Sequence, residues 1–183
     1  MHRVLVPLAQ GCEELEAVTI IDLLRRAKIE VVTAGLNDEP VVASRDVRLI
    51  PDISIDDAID QNFDMIVLPG GLPGAEHLDN DPRIKSLLKK MANDEKYTAA
   101  ICAAPKVLAN AGILTNKKAT SYPGFLENLD LPDTDLKTDP VVIDGNVITS
   151  RGPGTAMDFA LALIETLSGK DKRDEVEKAL LRN

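Results

Sequence analysis

Five short apolar runs, Val4–Leu8, Val31–Ala34, Met65–Leu68, Thr98–Ile101 and Val147–Thr149, have the length of β-strands, and stretches of helical period follow most of them. Strands that alternate with helices pair in parallel and need cover on both faces. The pattern therefore predicts an α/β fold with a mostly parallel sheet. With 183 residues, 44% of them apolar, the chain can close one hydrophobic core and is too short to need two. A single domain over residues 1–183 is expected, and the sequence carries no repeat, low-complexity tract or linker.

The helices can be read individually. Leu15, Val18, Ile21, Leu23 and Leu24 give an amphipathic stretch running to Arg26, and Glu13, Glu14 and Glu16 crowd its first turn, where acids suit the positive end of the helix dipole. Ile84, Leu87, Leu88 and Met91 predict a helix over 83–91 behind Pro82. Thr155 and Asp158 resemble a capping box that opens a helix through Leu167, with Gly169 as its stop. A charged helix over 172–181 is expected on the outside. Asp144-Gly145 predicts a hairpin over 141–148, and Ala43–Pro51 a second extended pair.

Charge and cysteine content narrow the function. A formal net charge of -9 repels nucleic-acid phosphates and anionic lipid surfaces, so neither is an expected partner. No segment approaches the ~18 uninterrupted apolar residues of a membrane helix, and the apolar run after Arg3 is too short for a signal peptide. Two cysteines, Cys12 and Cys102, do not make a disulfide scaffold, which fits a reducing, cytoplasmic setting. His2 and His77 lack partners at metal-ligand spacing, so no metal is expected.

Four turns should meet at the carboxyl edge of such a sheet, where ligands bind in open α/β folds. The first is Cys102, placed where the strand Thr98–Ile101 becomes the helix Ala103–Ala111. A helix N-terminus favours an anion and should lower the thiol pKa. A free cysteine among alanines can also be plain core filling, although Ala99, Ala100, Ala103 and Ala104 leave room for a tight turn and a substrate. The second turn, Pro69-Gly70-Gly71, can aim N–H groups at a ligand or be an ordinary turn. The third is the acidic cluster Glu13, Glu14 and Glu16, either a solvated face or the source of a carboxyl that contacts Cys102. The fourth, Thr149–Thr155, is either a connection or a place where Ser150 or Arg151 meets an anion.

Together, Glu13-Glu14-Leu15-Glu16, Leu68-Pro69-Gly70-Gly71, Ala99–Pro105 and Thr149–Thr155 resemble the ThiJ/PfpI family, particularly its parkinsonism-associated deglycase branch, over nearly the full chain. The resemblance implies a flavodoxin-like three-layer α/β/α sandwich, a homodimer, and a nucleophile-elbow cysteine at Cys102. It also implies that Glu16 is the carboxylic acid on the reactive sulfur, that Gly70, Gly71 and Ala103 are backbone donors around it, and that Arg26 and Arg45 lie near the pocket entrance. One departure is plain. Where many relatives carry a His before the Pro that is Pro123 here, this chain has Tyr122, so a Cys-His pair is missing at that place and Tyr122 becomes a pocket residue. A papain-like mechanism loses its base.

The implied activity is a cofactor-independent glyoxalase or deglycase acting on a small α-oxoaldehyde, or on its early adduct with a protein, and releasing a hydroxy acid. Cys102 would attack the aldehyde carbon, the N–H groups of Gly71 and Ala103 would hold the oxyanion, and Glu16 would move the protons. The competing expectation is a peroxide sensor and chaperone whose Cys102 sulfinate is stabilised by Glu16.

Overall fold

The computed structural model describes residues 1–182. Its strands are β1 (Arg3–Leu8), β2 (Glu30–Gly35), β3 (Val41–Val42), β4 (Arg48–Leu49), β5 (Ile53–Ser54), β6 (Met65–Leu68), β7 (Tyr97–Ile101), β8 (Lys118–Ala119), β9 (Asp135–Leu136), β10 (Val141–Asp144) and β11 (Val147–Ser150). Its helices are α1 (Glu14–Arg26), α2 (Ile55–Ala58), α3 (Gly74–Asn80), α4 (Pro82–Asn93), α5 (Pro105–Asn110), α6 (Ala156–Ser168) and α7 (Lys170–Ala179).

Seven strands form the central sheet in the order β10-β11-β7-β6-β1-β2-β5, and every pairing is parallel except the β10–β11 hairpin. Side chains alternate across a strand, so both faces of this sheet need apolar residues. On one face Val4, Val6 and Leu8 pack with Ile20, Leu24, Phe159 and Ile164 from α1 and α6; on the other Leu5, Ile66 and Leu68 pack with Ile84, Leu88 and Leu108 from α4 and α5. This is the mostly parallel sheet, covered on both faces, that the sequence pattern predicts, and the flavodoxin-like α/β sandwich that the resemblance implies. No helix among the described residues is long and apolar enough to cross a membrane.

Three local expectations need correction. The hairpin turns at Gly145-Asn146, since Asp144 pairs with Val147 and only Gly145 has positive φ (+62°). Thr155 does not cap α6: its hydroxyl bonds to the N–H and C=O of Gly152 and meets the Ser150 hydroxyl at 2.7 Å, closing a 3-10 turn over Pro153–Thr155. The last helix begins at Lys170, directly after Gly169, whose φ of +84° ends α6.

Candidate active site

The carboxyl ends of β1, β6, β7 and β11 bring the four turns together. Cys102 follows β7 directly and adopts φ = +65°, in the left-handed region. For a residue with a Cβ this conformation costs ~1–2 kcal/mol and persists only where neighbours impose it. Here both of its backbone groups are held. The Cys102 N–H donates to the Ser150 carbonyl at 3.0 Å, and its own carbonyl accepts the Tyr122 N–H at 2.8 Å. The sharp turn lifts the side chain out of the sheet at the point where β6 also ends.

Glu16 arrives from α1. It shares the buried stripe of that helix with Ile20, Leu23 and Leu24, and none of its surface reaches solvent. Its Oε2 accepts the Gly70 N–H at 2.8 Å, while Oε1 is buried without a partner. The Gly70 carbonyl in turn accepts the Glu13 N–H at 2.9 Å. Gly70 must be glycine: a Cβ there would stand 2.6 Å from Cys102 Cβ and 2.8 Å from Glu16 Oε2. Gly71, at φ = +89°, is equally constrained, because a Cβ would lie 2.3 Å from the Glu13 nitrogen.

The electrostatics reverse one expectation. Burial pushes the Cys102 thiol up to about 12, helped by the negative charge of Glu16, and the N–H groups of Gly71 and Ala103 pull the other way without winning. The helix behind it, α5, has only six residues and cannot outweigh a buried carboxylate. Burial likewise pushes Glu16 up to about 7, opposed by the Gly70 N–H and by Cys102. Near neutral pH Glu16 is therefore the member of the pair that gains and loses a proton, while the Cys102 thiol stays protonated.

The other candidates are placed as follows. Gly70 is committed to Glu16, so of the three backbone donors only Gly71 and Ala103 face the sulfur. Arg45 sits on the turn between β3 and β4, its N–H donating to Glu14 Oε1 at 2.8 Å and its guanidinium to the Ser44 carbonyl. Arg26 lies in the last turn of α1, ion-paired to Asp22 at 2.7 Å; ten residues of helix, roughly 15 Å, separate it from Glu16. Neither arginine hydrogen-bonds to Cys102 or Glu16 among the described residues. Tyr122 does adjoin Cys102, through the backbone bond above and a half-exposed ring. His77, exposed on α3, lines a separate cavity of about 350 Å³ with Gln10, Asn37 and Asn80. Cys12 is buried, and burial with the charge of Glu14 pushes its thiol up to about 12. No group of three His, Cys, Asp or Glu among the described residues is arranged to hold a metal ion.

Ser44 is a contributor that sequence reading misses. Its hydroxyl reaches Glu13 Oε2 at 2.9 Å and Glu14 Oε2 at 3.0 Å, and its N–H donates to the Cys12 carbonyl, tying the β3–β4 turn to the loop that leads into Glu16. Only the fold brings residue 44 to residue 13.

Known proteins resemble this chain in sequence and in fold. A family model described as the DJ-1/PfpI family matches residues 2–166. The chain is 47% identical to Protein dj-1beta of Drosophila melanogaster over 178 residues, covering 97% of this chain and 95% of that one. It is 37% identical to the Glutathione-independent glyoxalase DJR-1.2 of Caenorhabditis elegans, covering 93% and 91%. Protein DJ-1 homolog B of Arabidopsis thaliana, 46% identical over 98% of this chain, is longer: the chain spans 41% of its length. Among solved structures, Drosophila DJ-1beta superposes with a TM-score of 0.94 at 46% identity, covering 98% and 97% of the two chains. Toxoplasma gondii DJ-1, described as oxidized, also gives 0.94, at 39% identity over 99% and 98%.

Proposed function

This chain belongs to the DJ-1/PfpI family, and from that premise we propose that it is a cysteine-dependent glyoxalase or deglycase acting on α-oxoaldehydes or their early protein adducts. The observation that carries the reading is the Cys102–Glu16 pair: a strained thiol facing a buried carboxyl with one free oxygen and a pKa near neutrality. A general acid–base is most effective when its pKa lies near the working pH. The 37% identity to a protein named as a glutathione-independent glyoxalase supports the same chemistry.

With methylglyoxal, Cys102 Sγ bonds to the aldehyde carbon as Glu16 takes the thiol proton, which Glu16 then passes to the new alkoxide. The N–H groups of Gly71 and Ala103 steady the oxygen while it is charged. Glu16 next moves the hydrogen of the former aldehyde carbon to the neighbouring carbon, while the proton of the new hydroxyl passes to the neighbouring oxygen, converting the hemithioacetal to a thioester of lactate. Water cleaves the thioester, so that methylglyoxal plus water becomes lactic acid and the thiol is regenerated. No electrons leave the system, and no redox cofactor is needed for this balance.

Purified protein mixed with methylglyoxal should yield lactate, and Cys102→Ser and Glu16→Ala should each abolish it. Wild-type turnover no faster than either variant would sink the reading. The unpartnered Glu16 Oε1 supports a second role, since a protonated carboxyl there can donate to a sulfinate oxygen of an oxidised Cys102. Mild peroxide should then add two oxygens to Cys102 and none to Cys12; preferential oxidation of Cys12 rejects this role. We also propose that the chain works as a homodimer. Val18 on α1 and Ile50 after β4 line one surface hollow, Leu15 and Val47 on the same two segments are also exposed, and Ile50 is 83% exposed.

A further inference from the structure

Tyr122 adjoins Cys102 and has no part in the proton transfers of the proposed reaction. Its N–H donates to the Cys102 carbonyl at 2.8 Å, and its ring lies on Gly152, where an added Cβ would stand 3.2 Å from Cδ2 and 3.8 Å from Cε2. Gly152 belongs to the same segment as Ser150, whose carbonyl holds the Cys102 N–H. Both ends of the Cys102 peptide are thus bound to the two segments that hold the ring. Phe125 meets Tyr122 edge-on, with centroids 6.3 Å apart and an interplanar angle of 77°. The ring is still 48% exposed, and its hydroxyl makes no hydrogen bond within the described residues. A side chain that only filled a core would be covered. This one is packed against Gly152 and Phe125 and left half exposed.

An aromatic face held in place at little remaining entropic cost attracts other flat, apolar groups, because stacked or edge-on ring pairs gain more than their buried area alone provides. Building on the α-oxoaldehyde reaction proposed for Cys102, we propose that the Tyr122 ring is a specificity-determining wall of the Cys102 site, favouring oxoaldehydes with a planar aryl group beside the carbonyl over those with a methyl group. The ring is the recognition element, and the hydroxyl is incidental.

The test compares wild type, Tyr122→Phe and Tyr122→Ala by kcat/KM for phenylglyoxal, with mandelate as product, and for methylglyoxal, with lactate as product. Tyr122→Phe keeps the ring and should hold the aryl-to-methyl ratio within about twofold, whereas Tyr122→Ala should lower it by about five- to tenfold, mostly through KM for phenylglyoxal; ring pairs of ordinary strength have this effect. A second measurement does not depend on turnover: the rates at which iodoacetanilide and iodoacetamide alkylate Cys102, followed by intact mass, should show the same fall in ratio in Tyr122→Ala alone. A fall in both ratios supports the wall. Ratios unchanged in Tyr122→Ala overturn it, whether or not the aldehydes turn over. A wild type inactive on both aldehydes, but with a Tyr122-dependent alkylation ratio, would overturn the reaction and leave the aryl-selective wall standing.

Discussion

Glu16→Gln isolates the central electrostatic feature of the site. In the folded chain burial raises the Glu16 carboxyl from 4.5 to about 7. The unfolded chain gives up this proton near pH 4.5, and the folded chain keeps it until about pH 7, so between these values the folded state binds more protons and stability falls as pH rises. The part of the stability that depends on a neutral Glu16 is fully present below about pH 4.5 and is lost as pH climbs through about 7. At ~1.36 kcal/mol per pH unit, the difference amounts to about 3 kcal/mol. Glutamine keeps the shape, can accept the Gly70 N–H through its oxygen, and has no proton to lose. Unfolding by urea at pH 5 and pH 8, on both proteins, removes every other titrating group by subtraction. The stability of Glu16→Gln relative to wild type should rise by about 2–3 kcal/mol between the two pH values, which corresponds to a melting shift of roughly 4–12 °C for a chain of this size. A relative stability that is flat with pH would mean that Glu16 ionises like a solvated carboxylate. The reasoning that makes it a neutral-pH acid–base would then fail.

Gly70→Ala should lower methylglyoxal turnover about a hundredfold, because the new Cβ must push Cys102 away from Glu16, and a displacement of ~1 Å has that effect on positioned groups. It should also destabilise the fold by about 1–3 kcal/mol through overpacking, which denaturant titration would read; near-normal turnover would show that the close approach at Gly70 does not set the pair. Ile50→Asp places a charge in the proposed dimer face and should move the sedimentation coefficient from that of two copies to that of one, with far-UV circular dichroism unchanged. An unaltered dimer would move the contact to another surface.

The fold was legible where hydrophobic period is strong. The runs at Val4–Leu8 and Met65–Leu68 are apolar on consecutive positions because both faces of the sheet are covered, and they lie where the pattern predicts. The two-residue strands β3, β4, β5, β8 and β9 are too short to carry any period, so only the Ala43–Pro51 pair was anticipated, and there the strands begin at Val41. Thr155 was misread because a hydroxyl before a helix looks like a cap, whereas Ser150 and Gly152, brought near by the 3-10 turn, compete for it.

The site was half legible for a similar reason. Among three acids at the start of α1, Glu16 is the one in register with Ile20, Leu23 and Leu24, so a carboxyl on the apolar stripe was present in the sequence as a signal of burial. The direction of the Cys102 shift was not legible, since it depends on how a buried carboxylate weighs against two N–H groups and a six-residue helix. Gly70 marks the limit most clearly. In the sequence, Pro69-Gly70-Gly71 is a turn like many others; its requirement for a hydrogen in place of a side chain arises only when β6, β7 and α1 converge. At that point the one missing Cβ leaves room for Cys102, and the one N–H fixes the carboxyl beside it.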